Sequence, residues 1–185
     1  MYSNRYTNRF SSQTVIPEHE RVYHYVSGEL HKYLGYHYPL SIIGTSDEPR
    51  VVLNGSHLVL YTKHPQDRGE IAFILDMWYR EQAKSVFVPV VADAIVKAAP
   101  YKISMPKLRI YKLSDRWGSL SHESQILVMN LELIKTPKPC IEYIALHEVI
   151  HSRYPSHDMG FYSALSNLMP DWRERENILR TKFPI

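Results

Sequence analysis

Between Thr136 and Pro155 the chain reads TPKPCIEYIALHEVIHSRYP, and no other stretch restricts the fold as much. Ile141, Ile144, Ala145, Glu148 and Ile150 recur as they would on a largely buried helix. Thr136 can cap that helix, Pro137 has no amide proton to lose in the first turn, and Pro155 stops it. A mostly apolar helix has to lie inside the protein, yet this one carries His147, Glu148 and His151 in the spacing HExxH. Burying three polar groups without a shared partner is costly. A bound cation removes that cost.

The geometry of a helix supports this reading. At about 100° per residue, His147 and His151 fall on one face, about 40° apart and one turn along the axis. Two imidazoles so placed can hold one ion, at about 2.0–2.1 Å if the metal is zinc. Glu148, rotated by about 100° from His147, flanks the metal instead of binding it. It can take a proton from a metal-activated water and return it to a leaving amine. His157 follows Pro155, where the chain can fold back and deliver a third ligand. Three protein ligands leave a fourth position for water. The chain has 10 histidines in 185 residues, so chance has to be weighed. A shuffled chain of this composition shows HExxH in roughly 3% of cases, and about one in twenty of those has a histidine at the later position. The bland alternative is a pair of solvated or core histidines. The metzincin form HExxHxxGxxH has a glycine where Tyr154 stands, and the thermolysin-like glutamate on a downstream helix is not evident.

The remainder of the chain reads as one mixed α and β unit. Hydrophobic residues are 44% and charged residues 22%, ordinary for a folded domain. Residues 1–25 are expected to form a flexible arm and residues 26–185 a single domain. Short β-like runs fill 33–63, with Asn54-Gly55 as a hairpin signal. Asp67 starts a long helical pattern (Ile71, Ile74, Leu75, Trp78, then Val91, Ala94, Ile95, Ala98), which Pro89 should kink or divide. Strands are expected at 107–113 and 125–134. Helices are expected within 159–169 and from Pro170-Asp171 onward. No apolar run approaches the roughly 20 residues of a membrane helix; the longest, SVFVPVVADAIVKAA, is cut by Pro89, Asp93 and Lys97. No secretory signal is visible. Cys140 is the single cysteine, which excludes an intrachain disulfide and suits a reducing, cytoplasmic location. The net charge of +3 is spread along the chain, so a nucleic-acid partner is permitted but not indicated.

Three segments, DRWGSLS, ILVMNLELIKTP and IEYIALHEVIHSRYPSHDMGFYSALSNLMPDWRERENIL, together resemble the YgjP-like zinc metallopeptidase domain, a relative of the SprT and Wss-like proteases. The similarity is specific over roughly residues 115–180. It continues more weakly through GYHYPLSII and LVLYTKHP to about residue 25. The resemblance implies a zincin-like α+β fold, with a small antiparallel sheet packed on the HExxH helix and further C-terminal helices. Strand 125–132 would be the edge strand, to which an extended peptide could add. It also implies a Zn2+ site held by His147, His151 and His157, with Glu148 as general base. Arg116 and Trp117 match the RWG motif and, with Asn130, are the substrate-binding candidates. The family's cysteine after RWGS is Leu120 here, which argues against a ligand or redox role at that position.

Two functions follow. One is zinc-dependent hydrolysis of peptide bonds in a protein or peptide substrate. The other is a non-catalytic zinc module that binds a protein or a DNA-bound protein; nucleic acid enters by family analogy alone. Among other residues, His122 is expected on a solvent-facing turn rather than against substrate or an oxyanion, Tyr162 in the core rather than bonded to a tetrahedral intermediate, Asp158 as a helix cap rather than a carboxylate orienting an imidazole, and Trp172 and Cys140 as packing residues. Glu142 lies off the ligand face.

Overall fold

A computed structural model of the protein describes residues 21–185. Most of the expected arm, residues 1–20, lies outside the described residues. The described chain is an α+β fold, as expected. Strands β1 (Leu30–Tyr33), β2 (Tyr36–Gly44), β3 (Arg50–Asn54) and β4 (His57–Thr62) precede helix α1 (Arg68–Lys97). Strands β5 (Lys107–Tyr111), β6 (Gly118–Ser121) and β7 (Ile126–Asn130) follow. A 3-10 turn at Leu131–Lys135 leads into α2 (Lys138–His151), α3 (Met159–Leu168) and α4 (Trp172–Lys182). Among the described residues no helix is long and apolar enough to cross a membrane.

Local chemistry explains several element boundaries. Asn54 pairs with His57 across a two-residue turn. Gly55 takes φ +57° there and Ser56 does not, the pattern of a II′ hairpin. The Asp67 carboxylate accepts from the amides of Gly69 and Glu70, capping α1 where the sequence predicted. Ile71, Leu75, Tyr79, Ala83, Phe87, Val90, Val91 and Ala94 form the buried stripe of α1. Pro89 neither divides nor ends this helix. Pro89 and Ser85, whose carbonyl loses its amide partner, are both exposed, so water can take the freed acceptor.

Four other expectations need correction. The strand expected over 125–134 stops at Asn130, whose side chain accepts from the Glu132 amide and turns the chain into the 3-10 segment. Thr136 does not cap α2: its hydroxyl donates to the Leu133 carbonyl, and the helix begins after Pro137. The sheets are mixed, not antiparallel, with β2–β4 and β5–β7 running parallel. And β7 is not an edge. The orders are β1-β2-β4-β3 and β5-β7-β6, so β7 is central and β6 is the edge beside α2. The connection from β5 passes the end of β7 before β6 returns antiparallel to it. The Asn130 amide pins that crossover, donating to the carbonyls of Leu113 and Arg116 and accepting from the Leu113 amide.

Helix α2 is the centre of the molecule. It packs against α1, α3, α4, β6 and β7. Cys140, Ile141, Tyr143, Ile144, Ala145, Leu146, Glu148, Val149 and Ile150 are all buried. A helix apolar on nearly every face requires such an enclosed position.

Candidate active site

Helix α2 carries His147, Glu148 and His151 at its C-terminal end. After His151 the backbone turns, with the Ser152, Arg153 and Tyr154 amides donating to the carbonyls of Val149 and Ile150. Pro155 and Ser156 continue the turn, and His157 comes back over the helix. Asp158 then caps α3, accepting from the Phe161 amide, as the sequence suggested. The result brings three imidazoles together. His147 Nε2 lies 3.2 Å from His151 Nε2 and 2.9 Å from His157 Nε2, and the last two are 3.1 Å apart.

Three ring nitrogens this close are unfavourable as bare lone pairs and favourable around a cation. The His151 Nδ1–H donates to the Tyr154 carbonyl at 2.9 Å, which leaves Nε2 as the lone pair directed at its neighbours. Burial, followed by the charges of His151 and His157, pushes the His147 imidazole down to about 3, so it is neutral. Burial also lowers His151. Neutral imidazoles are the form that binds metal. A tetrahedral ion at 2.0–2.1 Å sets its ligand atoms about 3.3–3.4 Å apart, slightly wider than the observed triangle. The donor set therefore fits a single divalent ion. Among the described residues, the group able to share it comprises these three histidines, with no fourth His, Cys, Asp or Glu.

Glu148 is the other unusual group. It is buried, and burial pushes its carboxyl up to about 7, with Arg116 pulling in the opposite direction. Gly118, the first residue of β6, makes room for it. A Cβ on Gly118 would lie 2.9 Å from Glu148 Cγ and 3.0 Å from Oε1. Arg116, Trp117 and Gly118 line a cavity together with His147 and Glu148. Arg116 is exposed and paired with Asp115, its Nη2 2.6 Å from Oδ2.

The remaining sequence candidates separate clearly. Asn130 is fully buried and its amide is engaged within the chain, so it holds the Leu113–Arg116 loop and presents nothing to a ligand. Tyr162 is not a core residue: it is 41% exposed and stacks between His157 and Trp172. His122 lies on an exposed turn, Trp172 and Cys140 are buried, and Glu142 pairs with Arg175, all as expected. Phe161 was missed. It is fully buried, and its ring centroid lies 4.9, 4.6 and 4.7 Å from those of His147, His151 and His157. Its position four residues after His157, about one helical turn along, is the signal the sequence offers. Gly118 was passed over because a glycine has no side chain to suggest a role.

Comparison with known proteins adds a family. The YgjP-like metallopeptidase domain matches residues 7–182. No curated protein sequence matches the chain. Among solved structures it is similar to the metallopeptidase zymogen jannalysin of Methanocaldococcus jannaschii, at 20% identity over 52% of this chain and 89% of that one, with a TM-score of 0.47. It is also similar to the metallopeptidase zymogen abylysin of Pyrococcus abyssi, at 18% identity over 52% and 93%, with a TM-score of 0.48.

Proposed function

The chain belongs to the YgjP-like metallopeptidase family, and on that premise we propose that it hydrolyses peptide bonds with zinc held by His147, His151 and His157 and with Glu148 as the general base. The observation that carries this reading is the convergence of three Nε2 atoms within 3.2 Å at the end of a buried helix. Zinc bound there supplies Lewis-acid activation of water and of the scissile carbonyl. His151 is oriented for that task by the Tyr154 carbonyl, and Phe161 backs all three rings. Burial lowers the His147 and His151 imidazoles and so favours their neutral form, while the bond from His151 to the Tyr154 carbonyl acts in the opposite direction.

Glu148 accepts a proton from the attacking water and hands it to the leaving amine. Its carboxyl, raised by burial, suits both steps, since a base near neutrality can also act as the acid. An extended peptide pairs with the unpaired edge of β6, in place of the strand first expected, which is central. Arg116 and Trp117, at the start of that edge, contact the substrate. Among the described residues the donors number three, a set that would leave the open coordination of a catalytic site and so supports the enzyme over a closed structural zinc.

Metal analysis of untagged protein should find about one zinc per chain. Glu148→Gln should retain that zinc and lose about 10²–10⁴-fold in peptide hydrolysis. Full hydrolysis by Glu148→Gln removes the proposed base. Protein that carries no metal yet keeps its full stability and activity removes the proposed centre.

A further inference from the structure

His147 and Glu148 form one wall of a cleft whose lining, apart from Arg116, Trp117 and Gly118, takes no part in the chemistry above. Its cavity of about 430 Å³ lies within the range of pockets that bind small ligands. Tyr143 and Ile144 contribute from α2, Trp117 from the chain entering β6, Leu179 from α4, and Phe183 and Pro184 from the residues after α4. Tyr143, Ile144 and Leu179 are buried and belong to the core, so the floor is firm. The Tyr143 hydroxyl is drawn away to Glu176 Oε1 at 3.3 Å, and its ring meets His147 edge-on with centroids 5.6 Å apart.

The charges sit at the rim. Arg116, Glu176 and Arg180 are exposed, and Arg116 is already paired with Asp115. Glu148 is the one buried side-chain carboxylate of the lining, and the reaction uses it. A charged side chain entering this cleft would lose hydration, and the partners open to it, Glu176 and Arg180, stand at the exposed rim rather than inside. A large apolar side chain would exchange water for Ile144, Leu179 and aromatic faces.

We infer that this cleft is a specificity pocket for a large apolar or aromatic side chain of the substrate, at a residue flanking the bond that is cut. The inference rests on the peptidase reading of the same site. The cleft shares Glu148, His147 and Gly118 with that site, so a side chain seated in it lies beside the reacting carbonyl.

The test uses acetylated and amidated peptides, identical except for Phe, Leu, Ala, Lys or Asp at each position in turn. Hydrolysis is read with the zinc-loaded protein. Binding is read by calorimetry with Glu148→Gln, where cleavage is not needed. One position flanking the cut should prefer Phe or Leu over Ala by at least about tenfold, in kcat/KM and in Kd. Phe183→Glu should abolish that preference and shift it toward Lys; Phe183 is half-exposed, and a melting curve checks that the variant folds. Cleavage of all peptides at equal rates overturns the pocket and leaves the peptidase reading standing. Selective binding that depends on Phe183, without hydrolysis by the native protein, supports the pocket and overturns the peptidase reading. Absence of selective binding, or selectivity unchanged in Phe183→Glu, overturns the pocket.

Discussion

The histidine centre and the wall that faces it are built in opposite ways. His147, His151 and His157 span eleven consecutive residues, and one helical turn plus one reversal of the chain brings them together. The facing wall, Arg116 to Gly118, leads into the edge strand β6 of the three-stranded sheet and is held against α2 through the β5–β6 crossover that Asn130 pins. The two halves meet where Gly118 yields space to Glu148. Metal affinity should therefore depend on local structure, and the placement of the base on long-range packing.

Removing a member of the local half should have the largest effect. His157→Ala takes away one of three donors, and zinc after dialysis should fall well below one per chain. Hydrolysis should drop by more than about 10²-fold, beyond what loss of an outer-shell partner causes. Retention of native zinc content in that variant would show that the centre lies elsewhere. Gly118→Ala strikes the joint instead. Glu148 has to move, so kcat should fall by roughly 10²-fold while zinc content stays native. Equal loss of zinc and activity would mean that the halves are not separable.

Asn130→Ala tests the pin. It leaves the carbonyls of Leu113 and Arg116 without their buried donor, and stability measured by urea unfolding should fall by about 2–4 kcal/mol. Zinc affinity of the folded fraction should change little.

An effect absent at neutral pH and confined to the acid range concerns His31, a control for burial without convergence. It is buried against Tyr23, and Glu29 Oε2 lies 3.3 Å from its Nε2. Burial holds it at about 4, against 6.5 for an exposed imidazole. Between those values the unfolded chain binds a proton that the folded chain refuses. Stability is thus fully present above about pH 6.5 and is lost as pH falls toward 4, by up to roughly 3 kcal/mol. His31→Gln should flatten that part of the urea-midpoint profile between pH 4 and 6.5. A profile that His31→Gln leaves unchanged would show that burial of His31 is not the cause.

Much of the site was legible from periodicity. His147 and His151 share a helical face whatever surrounds them, and Asp67, Asp158 and the Asn54-Gly55 turn act through bonds within three residues. Pro89 misled because its helix-breaking effect depends on whether the freed Ser85 carbonyl reaches water. The run 125–134 is apolar on both faces for part of its length, so no alternation marks Asn130 as its end. Asn130 reads in the sequence as a substrate contact, since a polar residue near an active-site strand looks the same whether it faces solvent or caps a turn. Tyr162 was assigned to the core because helical spacing does not say which face is covered.

The sequence by itself determined the helix that carries His147, Glu148 and His151 and the face its two histidines share, since both follow from the fixed pitch of a helix. Tertiary structure alone decided that β6 rather than β7 borders the site, that Gly118 lies against Glu148, and that apolar walls close the cleft. Strand order and burial depend on contacts between residues far apart in the chain. Such contacts leave no period in the sequence, because each strand carries backbone donors and acceptors that can pair with many others.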